Sequence, residues 1–295
     1  MHLIIFIWGF TGILGKLIHL DAIVIVWYRL IIAPLFLGFF MGYTRKSFSI
    51  PKQHLWKVIG VGFFVSMHWL TFYYSIELST ASLGVLCLST TTLHVTWLEP
   101  IVMKRKFSWI EFLLGLIVIL GIYFISSDFK GDETTAMYIG LTSALFAATF
   151  SVFNARLSQD VPSTQMTFVE LVAGMFFITL FLALSGKLNV GELSMSTSDF
   201  AWLLFLGIVC TSFAFLVMIE IVKKLGAFTA SLSINLEPVY TILLAIVILS
   251  EHKLLNSKFY LGSLVIVLVV VANGIIKHFQ KNRLEEISKA KYGIQ

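Results

Sequence analysis

Charge is what this sequence lacks most. Only 13% of its 295 residues are Asp, Glu, Lys or Arg, where a soluble domain carries about a quarter. So few charges cannot cover a water-exposed surface, and lipid must be the solvent for most of the chain. Cysteine is nearly absent: Cys87 and Cys210 are the two present, and both sit inside apolar runs. They read as small buried residues, not as a disulfide. The chain also has no His-Glu-x-x-His, Cys-x-x-Cys, Gly-x-Gly-Asp or Gly-x-Ser-x-Gly pattern. No metal site, no cofactor and no membrane-embedded hydrolase is therefore expected. The net charge of +5 does not point to nucleic acid, because the basic residues lie between apolar runs or at the C-terminus.

What is present is apolar residue. Hydrophobic side chains make up 58% of the chain, with a mean hydropathy of +0.92. They fall into runs at roughly 2–19, 22–43, 55–76, 79–98, 109–126, 136–154, 165–185, 200–221, 228–249 and 259–277. A span needs about 20 apolar residues, so the length holds about ten spans and little else. The runs show no alternation, which excludes a barrel and requires helices. The first run, Leu3 to Ile18, has no basic region before it and no small-residue cleavage site after it. It reads as the first helix, not as a signal peptide, and so abrupt a start suggests that a few native residues precede it.

Loop charge sets the expected orientation. With the N-terminus in the cytoplasm, the inner loops hold Arg45, Lys46, Lys52, Lys57, Lys104, Arg105, Lys106, Arg156, Lys223 and Lys224, and the tail adds Lys277, Lys281, Arg283, Lys289 and Lys291. The outer loops receive only Lys130, Lys187, Lys253 and Lys258, together with the acidic stretch Asp128 to Glu133. This asymmetry predicts an even number of spans with both termini cytoplasmic, and the expected setting is a cell inner (plasma) membrane of a bacterium. The tail 279–295 reads as a short helix or a disordered segment suited to anionic lipid.

The order of motifs repeats. Thr80-Ala81-Ser82-Leu83 opens the fourth span and Thr229-Ala230-Ser231-Leu232 the ninth. Phe112-Leu113-Leu114-Gly115 then matches Phe259-Tyr260-Leu261-Gly262, and each half has a charge early in its second span, Arg29 or Glu170. Five spans per unit is odd, so the second copy is inverted. Inverted repeats are a common plan of secondary transporters, with solute held near the midplane between them. The expected fold is an all-α integral membrane bundle of ten helices in two inverted five-helix repeats, 1–126 and 136–278.

These residues resemble the EamA family of the drug/metabolite transporter superfamily. The resemblance rests on Trp8-Gly9 followed by Lys16, on Arg29, on the two Thr-Ala-Ser openings, on Pro238-Val239 and on Glu251. It covers nearly the whole chain. The fourth span departs from it, with Ser89-Thr90-Thr91-Thr92 where the family often has a proline, so the first half is expected to have its own hinge or site geometry. The resemblance implies export of amino acids, amines, drugs or other metabolites, commonly as proton-coupled antiport. The partners it implies are a small-molecule solute, protons and the bilayer.

The residues themselves name candidates, since an ionisable group at a helix centre costs about 2.5 to 3.5 kcal/mol to insert. Glu237 lies roughly 14 Å into the ninth span at 1.5 Å per residue, beside Asn235, Tyr240 and a kink-forming Pro238. A carboxyl group in low dielectric holds a proton more readily than one in water, so Glu237 is a candidate for proton coupling or for pairing with a solute amine. Arg29, roughly 10 Å from the outer end of its span, suits a solute carboxylate or a lock between helices. Glu170 is a candidate gate partner or an interfacial helix-start carboxylate. His68 and His94 suit proton relay or hydrogen-bonded packing. Trp69, Tyr73, Trp8, Trp97 and Tyr240 suit stacking on a solute or plain packing. Glu251, Glu77, Glu99, Glu111 and Glu220 lie near span ends and read as structural. Gly9, Gly12 and Gly15 suit close helix approach. An uncoupled facilitator or importer of the same fold, a receptor and a membrane-embedded enzyme are the alternatives.

Overall fold

A computed structural model describes residues 1–218 and 236–292. Among the described residues every regular element is helical, as a chain in lipid requires, because no water is there to satisfy open backbone groups. The long elements are α1 (His2–Leu17), α2 (Ala22–Tyr43), α3 (Lys52–Leu78), α6 (Trp109–Ile125), α7 (Asp132–Leu157) and α8 (Ser163–Leu184). Between α3 and α6 lie two half-helices, α4 (Ala81–Leu88) and α5 (Thr91–Met103). After α8 come the short α9 (Val190–Leu193) and α10 (Thr197–Leu204), which runs into a π-helical segment, Phe205–Phe213. The chain closes with α11 (Glu237–Ile248) and α12 (Ser257–Tyr292), which continues unbroken into the tail.

Seven helical stretches are long and apolar enough to cross a membrane, with α4–α5 and α10 through Met218 each counting as one. Three shorter apolar helices, α1, α6 and α11, occupy the places of the first, fifth and ninth apolar runs. Much of the ninth run, Asn235 included, lies outside the described residues.

The break between α4 and α5 falls at Ser89–Thr90, within the Ser-Thr-Thr-Thr stretch. Thr90 donates to the Cys87 carbonyl at 2.7 Å and Thr92 to that of Ser89 at 2.7 Å. Such local hydroxyl bonds offer the backbone an alternative to the helix ladder.

Packing is pairwise and dense. α3 lies between α7 and α8, α2 between α8 and the π segment, and α1 against α11, α3, α4 and the π segment. α7 packs on α4 and α5, α11 packs on α4, and α6 pairs with α12. Leu30, Leu37, Val58, Ile178 and Leu206 belong to one buried cluster. Val118, Ile122, Phe259 and Ile266 belong to a second, between α6 and α12. Leu113, Leu120, Tyr123, Leu264 and Leu268 face outward, the inside-out pattern that a lipid solvent permits.

Carboxylates tie one end of the bundle together. Glu251, 2% exposed, accepts from the Ala81 and Ser82 amides at 2.8 and 3.1 Å and from the Ser82 hydroxyl at 2.5 Å. It thus satisfies the open amides of α4 from beyond the end of α11. Glu77 does the same for α2, accepting from Ala22 N at 2.8 Å. Asp199 closes the capping box of α10 with Ser196 and also accepts from the His19 amide at 2.9 Å. Glu251→Ala is expected to lower stability by about 2 kcal/mol, the upper range for a lost helix cap. Thermal unfolding in detergent would read it; an unchanged midpoint would refute the cap's importance.

Candidate functional site

The interior charge is organised around Arg29. It is 4% exposed on α2, among apolar neighbours. Its Nε donates to Thr211 Oγ1 of the π segment at 2.9 Å, and one terminal nitrogen donates to Tyr73 Oη of α3 at 3.4 Å. The guanidinium lies over the Trp69 ring, 3.7 Å from its centroid, a favourable stack for a desolvated cation. Tyr73 passes its own proton to the Thr11 carbonyl of α1 at 3.3 Å. The cation of α2 is therefore met by α3 and the π segment, with α1 one hydrogen bond further on.

None of these partners is an acid. Arg29 forms no ion pair among the described residues. The Glu237 carboxyl lies within electrostatic reach of the guanidinium, as do Cys210 and His68. Glu237 stands in the first turn of α11, half-buried, and its backbone carbonyl accepts from Thr241 at 3.1 Å. A cation and a carboxyl thus share the interior without bonding to each other.

The remaining candidates fall in other places. Pro238 occupies the first turn of α11, where its missing amide costs nothing. Tyr240 points along α1, its hydroxyl 2.9 Å from His2 Nδ1 and its ring edge-on to Phe6. His68 is a joint between α3 and α7: its Nδ1 meets the Ser143 hydroxyl at 2.9 Å, and that hydroxyl reaches the His68 carbonyl at 2.9 Å. His94 is half-buried on α5 with its ring against Trp97. Glu170, 4% exposed, accepts from Asn154 Nδ2 at 3.2 Å. Thr211 was not among the sequence candidates. Its signal is the Thr211-Ser212 pair inside an apolar run, a weak one because such hydroxyls commonly bond back within their own helix.

A cavity of about 420 Å³ opens at the end of the bundle where Glu77 caps α2. Lys16, His19, Asp21, Glu77 and Glu192 are among its lining residues. Lys16 donates to the Glu77 carbonyl at 3.2 Å. At the same end, a 2.7 Å hydrogen bond to Asp21 holds the Lys187 ammonium above the usual lysine range. Gly15 lines the cavity and packs on the Tyr73 ring. Tyr73 therefore touches both the cavity wall and Arg29.

A helical bundle with an apolar exterior and a buried arginine in its interior belongs to the polytopic membrane proteins. The model of the EamA-like transporter family matches residues 1–127 and 134–274. The chain belongs to that family: it is a multi-pass membrane transporter of a small molecule. It is also 22% identical over 244 residues to a Bacillus subtilis (strain 168) protein named uncharacterized transporter YxxF, across 81% of this chain and 77% of that one. A protein of known crystal structure shares the fold with a TM-score of 0.65 at 15% identity, over 92% of this chain and 94% of the other.

Proposed function

We propose that the protein exports a zwitterionic, amino-acid-like solute in exchange for protons, by alternating access between two inverted five-helix halves, 1–126 and 136–278. The observation that carries this reading is the buried Arg29 guanidinium with no acid partner among the described residues, in electrostatic reach of Glu237. Arg29 takes the solute carboxylate, and Glu237 takes either the solute amine or a proton. Competition for one carboxyl group couples the two fluxes.

The packing supports the repeat. If the ten apolar runs are numbered in order and the halves exchanged, helix 1 on 9 becomes 6 on 4, 2 on 8 becomes 7 on 3, and 3 on 6 becomes 8 on 1. The contacts 2 on 7, 4 on 9 and 5 on 10 map onto themselves. Each of these pairs is in contact. The reading takes all ten runs as spans, with both termini cytoplasmic and the 420 Å³ cavity as an outer vestibule.

The test is counterflow of a labelled amino-acid mixture in proteoliposomes, with and without a pH gradient. Wild type is expected to respond to the gradient, and folded Glu237→Gln to lose that response. Gradient-driven transport by Glu237→Gln at the wild-type rate would remove the proton role. A wild type indifferent to the gradient would make the protein a facilitator.

A further inference from the structure

The π segment itself carries information about what Arg29 can bind. In an α-helix a threonine hydroxyl reaches the carbonyl three or four residues back. Here Thr211 Oγ1 donates to the Leu206 carbonyl, five back, at 2.8 Å. Ser212 likewise reaches Gly207, five back, at 3.2 Å, and crosses to the Ala33 carbonyl of α2 at 2.8 Å. Gly207 packs so tightly that an added Cβ would lie 2.6 Å from Ile32 Cγ2. The wide register and the close crossing together deliver the fully buried Thr211 hydroxyl to Arg29 Nε. Because that hydroxyl spends its proton on Leu206, it can only accept from Arg29. π segments recur at functional sites for this kind of re-aiming.

We propose that Thr211 is a positioning residue that restricts Arg29 to end-on recognition of a planar carboxylate. The inference rests on the reading of Arg29 as the solute's carboxylate site. A guanidinium has five N–H donors in a fixed fork. Thr211 occupies Nε and so closes the side edge that Nε would share with a terminal nitrogen. Tyr73 takes one terminal hydrogen, and Trp69 covers one face. Among the described residues, the hydrogens left without a partner are on the two terminal nitrogens, and the edge between those nitrogens is the one a solute would meet. Two parallel N–H groups there match the two oxygens of a carboxylate. A carboxamide offers one acceptor and turns a donor toward the fork, so the site discriminates between the two.

Two measurements test this on purified full-length protein. The first is hydrogen exchange at the Arg29 Nε–H in arginine-15N-labelled protein, its signal identified by its loss in Arg29→Lys. The second is binding of the L-amino acid that most stabilises wild type in a thermal-shift panel, compared with its own carboxamide. In Thr211→Val the Nε–H is expected to lose slow exchange. Amino-acid affinity should fall about ten-fold, as for a lost hydrogen bond to a charged group, while carboxamide affinity holds, so the preference for carboxylate shrinks by the same factor. Thr211→Ser restores both. If Thr211→Val does not fold, Thr211→Cys carries the same expectation, since sulfur is a weak acceptor. Wild-type exchange or an unchanged carboxylate preference in the folded variant overturns the proposal. Wild-type amino-acid binding by Arg29→Met, or a panel in which no amino acid stabilises the protein, overturns the underlying reading of Arg29 instead.

Discussion

Arg29→Met is expected to abolish transport while leaving the protein as stable as wild type, or more so. The expectation comes from the partners of the guanidinium. Thr211 donates to Leu206 and Tyr73 donates to Thr11 whether or not Arg29 is present. Removing the arginine therefore costs each hydroxyl only an accepting role, and among the described residues no buried acid is stripped of an ion pair. In return the bundle no longer shields a cation from water, and replacing buried charge by an apolar side chain of similar volume is often neutral or stabilising. Function should respond in the opposite direction. Loss of a charge-assisted anchor for a carboxylate removes about 3 kcal/mol of binding, or about 100-fold in affinity. Arg29→Lys should fall between, because an ammonium keeps the charge but not the planar fork or the Trp69 stack. The check is thermal unfolding in detergent beside counterflow in proteoliposomes. A purely structural arginine gives another result: Arg29→Met would unfold early, and transport would track the folded fraction.

The interior placement of Arg29 and Glu237 was legible because both interrupt apolar runs, and a charge in hydrocarbon demands a reason. The helix break at Ser89–Thr90 was legible in part, since a run of hydroxyls stands where apolar residues would continue. Glu251, expected to be structural, is the cap of α4. The partner of Arg29 was not legible. Thr211 reaches it only through a π register, and the apolar run 200–221 carries no mark that separates π from α spacing. Tyr240 illustrates the same limit: beside Glu237 in sequence, it bonds to His2 across α1. Residues three apart share a helix face, but which neighbouring helix each side chain meets is decided by packing. The depth of His68 alone leaves proton relay and hydrogen-bonded packing both open. Its ring nitrogen is engaged by Ser143 of α7, a partner seventy-five residues away that no local pattern announces.

Packing also sets the second large effect, at Gly62 and Gly207. Gly62 brings α3 onto α8, and Gly207 brings the π segment onto α2, the crossings that exchange when the two proposed halves are swapped. A Cβ on Gly62 would lie 2.6 Å from the Glu170 carbonyl oxygen and 2.9 Å from the Ala173 Cβ. A Cβ on Gly207 would lie 2.7 Å from Ile32 Cβ and 2.6 Å from its Cγ2. Backbone cannot step aside as a side chain can, so Gly62→Ala should be the worse of the two, each costing about 1–3 kcal/mol as overpacking. Valine at either place should prevent assembly of the bundle, since close backbone approach is what drives such crossings in lipid. Gly60, in the same helix, has nothing within 4 Å of its added Cβ. Gly60→Ala should therefore stabilise by up to about 1 kcal/mol through helix propensity alone. Monodispersity and unfolding midpoint of the three alanine variants would test the order Gly62, Gly207, Gly60 from worst to best. A Gly62→Ala protein as stable as Gly60→Ala would mean that α3 and α8 do not cross this closely, and the matched crossings that support the two-half architecture would lose one member.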